Sequence, residues 1–385
     1  MANSIPTTFN DELPSYTAVG GNQRRASTGL SAVIINRKPR HPRYGFFEEL
    51  EKAGFDYVLS MENSNTRYDL ESLSLSFPFV RFILLKDSVS YGEVINLAAS
   101  ELSSPLFFVM RNDLKILRGG GAGRMAERLS AGKTGDRNSY KRLCTAPLLQ
   151  DGRSETIPAL IAPALLTDKN CRSVIRTIPF IPRKEGLPTL YPFDGIGIYD
   201  RERFIRLGGF DPSIKNYHWQ LMDFGFRASL WGEEIAVTQL IKLSYEGLVP
   251  EEDSTADADW LRLYLKNLAP VFLKDYAHLP LRRFPWYSMQ RGDFFSAWAE
   301  FSAARAWVKT NRFRFTSDAR TITERWENFD AVNNSSEGND TIEGYDDSEG
   351  KDIAEGKNNS EGKDGSDIGE PKDPESIYPD GKDDP

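Results

Sequence analysis

The chain has 385 residues, 39% of them apolar and 12% aromatic, enough to bury one large core or two modest ones, so a globular enzyme is within reach. Its formal charge of −8 is uneven: residues 330–385 hold 18 Asp/Glu and 5 Lys, a net of −13, which leaves +5 on residues 1–329. A surplus that small leaves no footprint for nucleic acid, while it suits a doubly charged diphosphate or contact with an anionic membrane surface.

Residues 1–28 are rich in Ser, Thr, Asn, Pro and Gly without periodicity and read as a flexible leader, and they lack the charged-then-apolar order of a signal peptide. Ser31–Ile35 is an apolar, β-branched run that fits a buried parallel strand and ends in polar Asn36-Arg37-Lys38-Pro39. Tyr44–Gly54 predicts a helix with Phe46, Phe47 and Leu50 inward and Gly54 as its stop. A second strand over Asp56–Asn65 carries Glu62 and small polar groups at its end, and Phe79–Leu85 gives a third. Tyr91–Leu102 reads as a helix with Val94, Ile95, Leu97, Ala98 and Leu102 on its apolar face. Leu106–Met110 is a fourth strand, running straight into Arg111-Asn112-Asp113. Such alternation predicts a doubly wound α/β sheet with right-handed crossovers, whose ligands sit at the carboxyl ends of the strands.

Two glycine motifs fall short of phosphate loops. Gly119–Gly123 lacks dinucleotide spacing, and Gly132-Lys133-Thr134 would need a glycine where Glu127 stands. The longest apolar run, residues 157–166, is about half of the roughly 20 residues a membrane span requires and holds two prolines. Two thiols, Cys144 and Cys171, form neither a disulfide framework nor a metal spacing, which points to a reducing, cytoplasmic setting.

The stretch from Tyr191 to Arg227 reads as a short apolar strand, a charged helical turn, a Gly208-Gly209-Phe210-Asp211 bend and an aromatic-acidic helix. Glu234–Tyr245 follows as a strand. Residues 256–329 read as a helical extension, aromatic and basic, with Arg282-Arg283-Phe284-Pro285-Trp286-Tyr287, Phe294-Phe295 and Trp298; packing against the main domain competes with peripheral contact at the inner face of a membrane. Ser-Glu-Gly-Xaa-Asp units recur at 336, 348 and 360 in residues 330–385, an acidic tail expected to be disordered.

Polar strand ends thus line up at Asn36-Arg37, Glu62-Asn63 and Arg111-Asn112-Asp113. With Tyr91-Gly-Glu-Val-Ile-Asn96 ahead of the fourth strand, the Gly-Gly-Phe-Asp bend and Asp223-Phe-Gly-Phe-Arg227, the order of motifs over about residues 30–245 resembles family 2 glycosyltransferases of the GT-A fold. The resemblance implies a GT-A type doubly wound mixed sheet over residues 29–255, followed by the helical extension and the tail. It implies a glycosyltransferase (hexosyltransferase class), inverting, that moves a sugar from a nucleotide-diphosphate donor to a glycan or lipid-linked acceptor. Mg²⁺ or Mn²⁺ would lie between the phosphates on Asp113, with Glu62 near the nucleoside and Asn36, Arg37, Asn96, Arg111 and Asn112 at the donor.

Two positions depart from the family pattern. The first metal-motif Asp falls on Arg111, and the Glu-Asp of the catalytic base falls on Gln220-Leu221. The nearest carboxylate is Asp223, one turn on, with Asp194 as the second candidate base. Asp223 also stands at i,i+4 to Arg227, so pairing with that arginine is its other reading. His218 is a candidate metal ligand, and Tyr217, Trp219 and Gln220 are candidates for acceptor binding. The competing function is a non-catalytic GT-A relative that binds nucleotide sugar or glycan. A sugar-nucleotide pyrophosphorylase would want a glycine-rich turn after the first strand, which Asn36–Pro39 lacks.

Overall fold

The computed structural model describes residues 13–24, 28–36, 43–62, 70–118, 121–131, 142–167, 173–255, 257–326, 329 and 333. The chain divides into two units, residues 1–338 and 339–385, and the second lies outside the described residues, as does most of the acidic tail.

The first half alternates as its pattern predicts. Strands β1 (Tyr16–Gly20) and β2 (Leu30–Ile35) lead to helix α1 (Tyr44–Ala53), β3 (Val58–Glu62), α2 (Leu70–Ser76), β4 (Val80–Leu85), α3 (Tyr91–Glu101) and β5 (Leu106–Arg111). After β6 (Leu114–Arg118) and α4 (Ala122–Ala131) come β7 (Arg142–Gln150) and a two-stranded ribbon of β8 (Leu160–Thr167) and β9 (Ser173–Phe180). The central stretch builds β10 (Gly197–Asp200), α5 (Arg201–Leu207), α6 (Tyr217–Leu230) and β11 (Glu234–Tyr245). Nine strands form one mixed sheet in the order β1-β4-β3-β2-β5-β10-β7-β11-β6. Strands β2, β3, β4 and β5 run parallel, while β10 is antiparallel to both of its neighbours.

Both faces of the sheet are covered, and the side chains of β2 divide between them with the period of two that a strand imposes. Leu30, Ala32 and Ile34 enter a core shared with Phe47 and Leu50 of α1 and Met125 of α4. Val33 and Ile35 enter the opposite core, shared with Ile95 and Ala98 of α3, Phe204 of α5 and Phe224 of α6. Helix α3 starts on a capping box in which Glu93 N–H donates to Ser90 Oγ (3.4 Å) and Ser90 N–H to Glu93 Oε2 (2.8 Å).

One boundary expectation needs correction. The supposed leader contains β1, an edge strand antiparallel to β4 from Tyr16↔Leu85 to Gly20↔Arg81, tied down by Tyr16 Oη donating to Glu101 at 2.5 Å. An edge strand covered on one side alternates only weakly, so its pattern was faint. The extension packs on the main domain, one of the two readings its sequence allowed. It comprises α7 (Ala258–Leu263), a π-helical turn (Tyr264–Leu268), the hairpin β12 (Val271–Leu273) and β13 (Tyr276–His278), α8 (Phe284–Arg291), α9 (Phe294–Asn311) and α10 (Ala319–Arg325). Its Leu263, Phe301, Trp307 and Ile322 lie in the same core as α3 and α6, so packing accounts for much of its aromatic content. Among the described residues, no helix is long and apolar enough to cross a membrane.

Candidate functional site

The carboxyl edge of the parallel strands is set by their register. Ile35 pairs with Arg111 and with Met61, so the residues that follow β2 and β5 are neighbours, and Asn112 N–H donates to Ile35 O at 3.2 Å. Asn36 gives its amide to Met61 O (2.9 Å) and Ser60 Oγ (3.3 Å), leaving Oδ1 buried without a partner among the described residues. Asp113 Oδ1 is likewise buried and unpartnered. Asn112 is buried in the turn between β5 and β6. Arg37 lies outside the described residues.

Glu62 does not present its carboxylate to a ligand. It is 1% exposed, paired with buried Arg43 at the start of α1 and bonded by Ser60 Oγ at 2.7 Å. The Arg43 guanidinium rests on the ring of Phe47 (5.0 Å), so the ion pair also ties β3 to α1. Asn96, too, turns inward: its Nδ2 donates to Phe210 O and its Oδ1 accepts from Phe210 N–H, both at 2.8 Å. This clip fixes the Gly208-Gly209 bend, where φ is 92° and 62° and a Cβ on Gly209 would meet Asn96 Oδ1 at 2.3 Å.

Arg111 forms a buried ion pair with Asp194 and lies 4.2 Å from the ring centre of Tyr91. Burial by itself would lower the Arg111 pKa, but Tyr91 and Asp194 more than offset it and the guanidinium is held firmly charged. Asp194 sits at φ 53°, ψ 22° in the turn before β10, and its other oxygen accepts from Tyr245 Oη at 3.2 Å. A residue other than glycine in this conformation is held by its surroundings, here by the arginine and the tyrosine. Tyr217 meets Tyr91 edge-on at 4.5 Å, and its hydroxyl is buried without a partner. Burial, with Tyr91 and Asp194 nearby, pushes its pKa well up, so this phenol keeps its proton as a donor.

Helix α6 overturns the expectation for the base. Asp223 is fully buried; Oδ2 accepts from Arg227 at 2.7 Å, and Oδ1 accepts from Lys266 Nζ and Asn267 Nδ2, each at 2.7 Å. A carboxylate whose oxygens are taken by two cations and an amide cannot accept a proton from an acceptor hydroxyl, so Asp223 is a structural partner of Arg227. Gln220 is also fully buried: it accepts from Gly92 N–H at 2.9 Å and donates to Ser90 Oγ, Asp211 O and Ile214 O, each at 3.0 Å. It therefore seals α6 to α3 and is not available to an acceptor. Leu221 is in the core. Trp219 is 7% exposed and donates from Nε1 to Thr255 O at 2.8 Å, which pins the loop after β11.

That loop supplies what the sequence reading missed. A cavity of about 330 Å³ is lined by Phe193, Asp194, Tyr217, His218, Pro250 and Glu252, among others. His218 Nδ1 lies 3.0 Å from Glu252 Oε2, and the same carboxylate accepts from Tyr191 Oη at 3.0 Å. An ionised carboxylate only accepts, so Nδ1 is the nitrogen that donates to Glu252. The run Pro250-Glu251-Glu252-Asp253 directly after a strand was the available signal, and it reads equally well as a solvated loop.

Among the described residues no three His, Cys, Asp or Glu gather to hold a metal; the observed polar contact of His218 is with Glu252 through Nδ1. The unpartnered Asp113 Oδ1 is nonetheless a hard oxygen donor of the kind Mg²⁺ or Mn²⁺ takes when phosphate oxygens complete its shell.

No protein-family model matches the sequence, and no curated protein sequence does. Among solved structures, the chain is similar to GalNAc-T7 with UDP, GalNAc and Mn²⁺ (10% identity, TM-score 0.48, 79% of this chain and 57% of that one). It is also similar to the mannosyltransferase PcManGT from Pyrobaculum calidifontis with GDP-Man and Mn²⁺ (10%, 0.38, 73% and 74%), and to HddC from Yersinia pseudotuberculosis (12%, 0.32, 55% and 92%).

Proposed function

We propose that this protein is a GT-A type glycosyltransferase that moves a sugar, with inversion, from a nucleotide-diphosphate donor to a hydroxyl of a glycan or lipid-linked acceptor. The observation that carries this reading is the His218–Glu252 pair on the wall of a cavity that also borders Asp194 and Tyr217. Glu252 and Tyr191 hold the imidazole so that Nε2 is the base, the arrangement by which a carboxylate orients a histidine in acid–base catalysis. Nε2 takes the acceptor's proton as its oxygen bonds to the anomeric carbon, and the bond from that carbon to the diphosphate breaks on the opposite face. Asp113 would be the residue that holds a divalent cation, which when bound would supply positive charge at the diphosphate. Arg111, fixed by Asp194, adds positive charge beside it.

The test is turnover on a panel of nucleotide sugars and acceptors with Mn²⁺. His218→Gln is expected to lower kcat by about 10²- to 10⁴-fold with donor affinity kept, and Asp113→Ala to remove the Mn²⁺ dependence of donor binding. Unchanged turnover in His218→Gln would exclude it as the base. A second reading, a relative that binds nucleotide sugar or glycan without turnover, is favoured by Arg111 and Leu221 at positions where the family carries carboxylates. Binding of donor with no transfer to any acceptor would select it.

A further inference from the structure

On the extension, away from the residues of the proposed site, the hairpin β12–β13 and helix α9 enclose a second cavity of about 470 Å³. Its lining includes His278, Trp298, Arg305, Lys309 and Arg312 and no carboxylate. Neither Arg305 nor Lys309 has a hydrogen-bond or ion-pair partner among the described residues, and His278 Nδ1 is buried without one. Trp298, Ser302, Arg305 and Lys309 recur at helical spacing, so one face of α9 carries an aromatic ring at its start and cations towards its end.

Beside Leu281 and Trp298 of that lining lies an apolar patch that is exposed among the described residues. Phe295 is 82% exposed and Phe294 58%, with Leu281 and Trp298 about half exposed. Phe284 braces them, its ring 5.6 Å from Phe294 and 5.1 Å from Trp298, so they form one contiguous patch. A soluble anion or sugar bound within the cavity would leave Phe294 and Phe295 in water. A bilayer covers both, while its anionic headgroups meet the cations behind them.

We propose that this face of the extension docks on an anionic lipid surface, with Phe294, Phe295 and Trp298 entering the interface and the cavity between Arg305, Lys309 and Arg312 receiving a lipid phosphate. The proposal is independent of the sugar-transfer reading and stands or falls on its own experiment.

Co-sedimentation of the full chain with phosphatidylcholine vesicles, with and without phosphatidylserine, tests it. Binding is expected only with phosphatidylserine and is expected to weaken as salt is raised. The triple variant Arg305→Gln, Lys309→Gln, Arg312→Gln should lower partitioning by about 100-fold, at roughly fivefold per cation. Phe294→Ser with Phe295→Ser should lower it by at least about tenfold. All five positions are at least partly exposed, and unchanged thermal unfolding in both variants confirms that only docking is altered. Equal binding to neutral vesicles, wild-type partitioning in the triple variant, or a chain that stays in the supernatant would overturn the proposal. So would inorganic phosphate without vesicles saturating the cavity, read from Trp298 fluorescence, or self-association through this face in light scattering.

Discussion

Gln220 acts through being uncharged. Its amide group faces three acceptors, Ser90 Oγ, Asp211 O and Ile214 O, while its oxygen takes the Gly92 N–H. Gly92 has no room for a side chain, because a Cβ there would meet Gln220 Cδ at 2.6 Å and Phe210 Cβ at 2.4 Å. Gln220→Glu would set a buried carboxylate against those three acceptors. It is expected to destabilise the fold by about 3 kcal/mol or more, measured by denaturant unfolding; wild-type stability would show that the helix can turn the side chain out. At this scale the sequence names polar positions, and the fold decides which way each one points. Asn96, Glu62, Gln220 and Asp223 all turn into protein contacts, because each finds a partner distant in sequence: Phe210, Arg43, Gly92 and Lys266. The i,i+4 spacing did foretell the Asp223–Arg227 pair, which is local and so legible.

At the scale of elements, α6 is held by the π-helical turn Tyr264–Leu268, which aims Lys266 and Asn267 at it. Lys266 Nζ bridges Asp211 of the glycine bend (2.5 Å) and Asp223 of α6 (2.7 Å), while Arg227 completes a set of two buried carboxylates and two buried cations. Lys266→Met removes the cation paired with Asp211 and leaves Asp223 with Arg227. The expected cost is about 3–5 kcal/mol, read as a lowered urea midpoint with an unchanged slope. A loss below 1 kcal/mol would mean that water or relaxation takes over the charge. Nothing in residues 256–329 announced this role, since one lysine in a basic, aromatic stretch looks like any solvated cation.

For the whole molecule, the pH dependence follows from which carboxylates are stabilised. Burial by itself would raise the Asp211 pKa, but Lys266 and Ser213 hold it below its ordinary 3.8; Lys215 and Ser90 likewise hold Glu93 below 4.5 despite partial burial. A folded pKa below the unfolded one adds stability that is complete above the unfolded value and lost as pH falls through the folded one. The melting temperature should therefore be flat with respect to these groups above about pH 5 and fall below about pH 4, more steeply in wild type than in Lys266→Met. A melting temperature that rises on acidification would contradict this assignment.

The sequence by itself determined the parallel strands, the helices between them, the polar carboxyl edge and the bend before α6, because strand and helix periods and glycine turns are local properties of the chain. Only the tertiary structure decided which polar groups remain for a ligand. Asp223 and Glu62 were consumed by Lys266, Arg227 and Arg43, while Arg111 was fixed by Asp194 and His218 gained Glu252 from a loop 34 residues away. A buried charge must find its counter-charge wherever the fold brings one within reach, and that partner cannot be read from spacing along the chain.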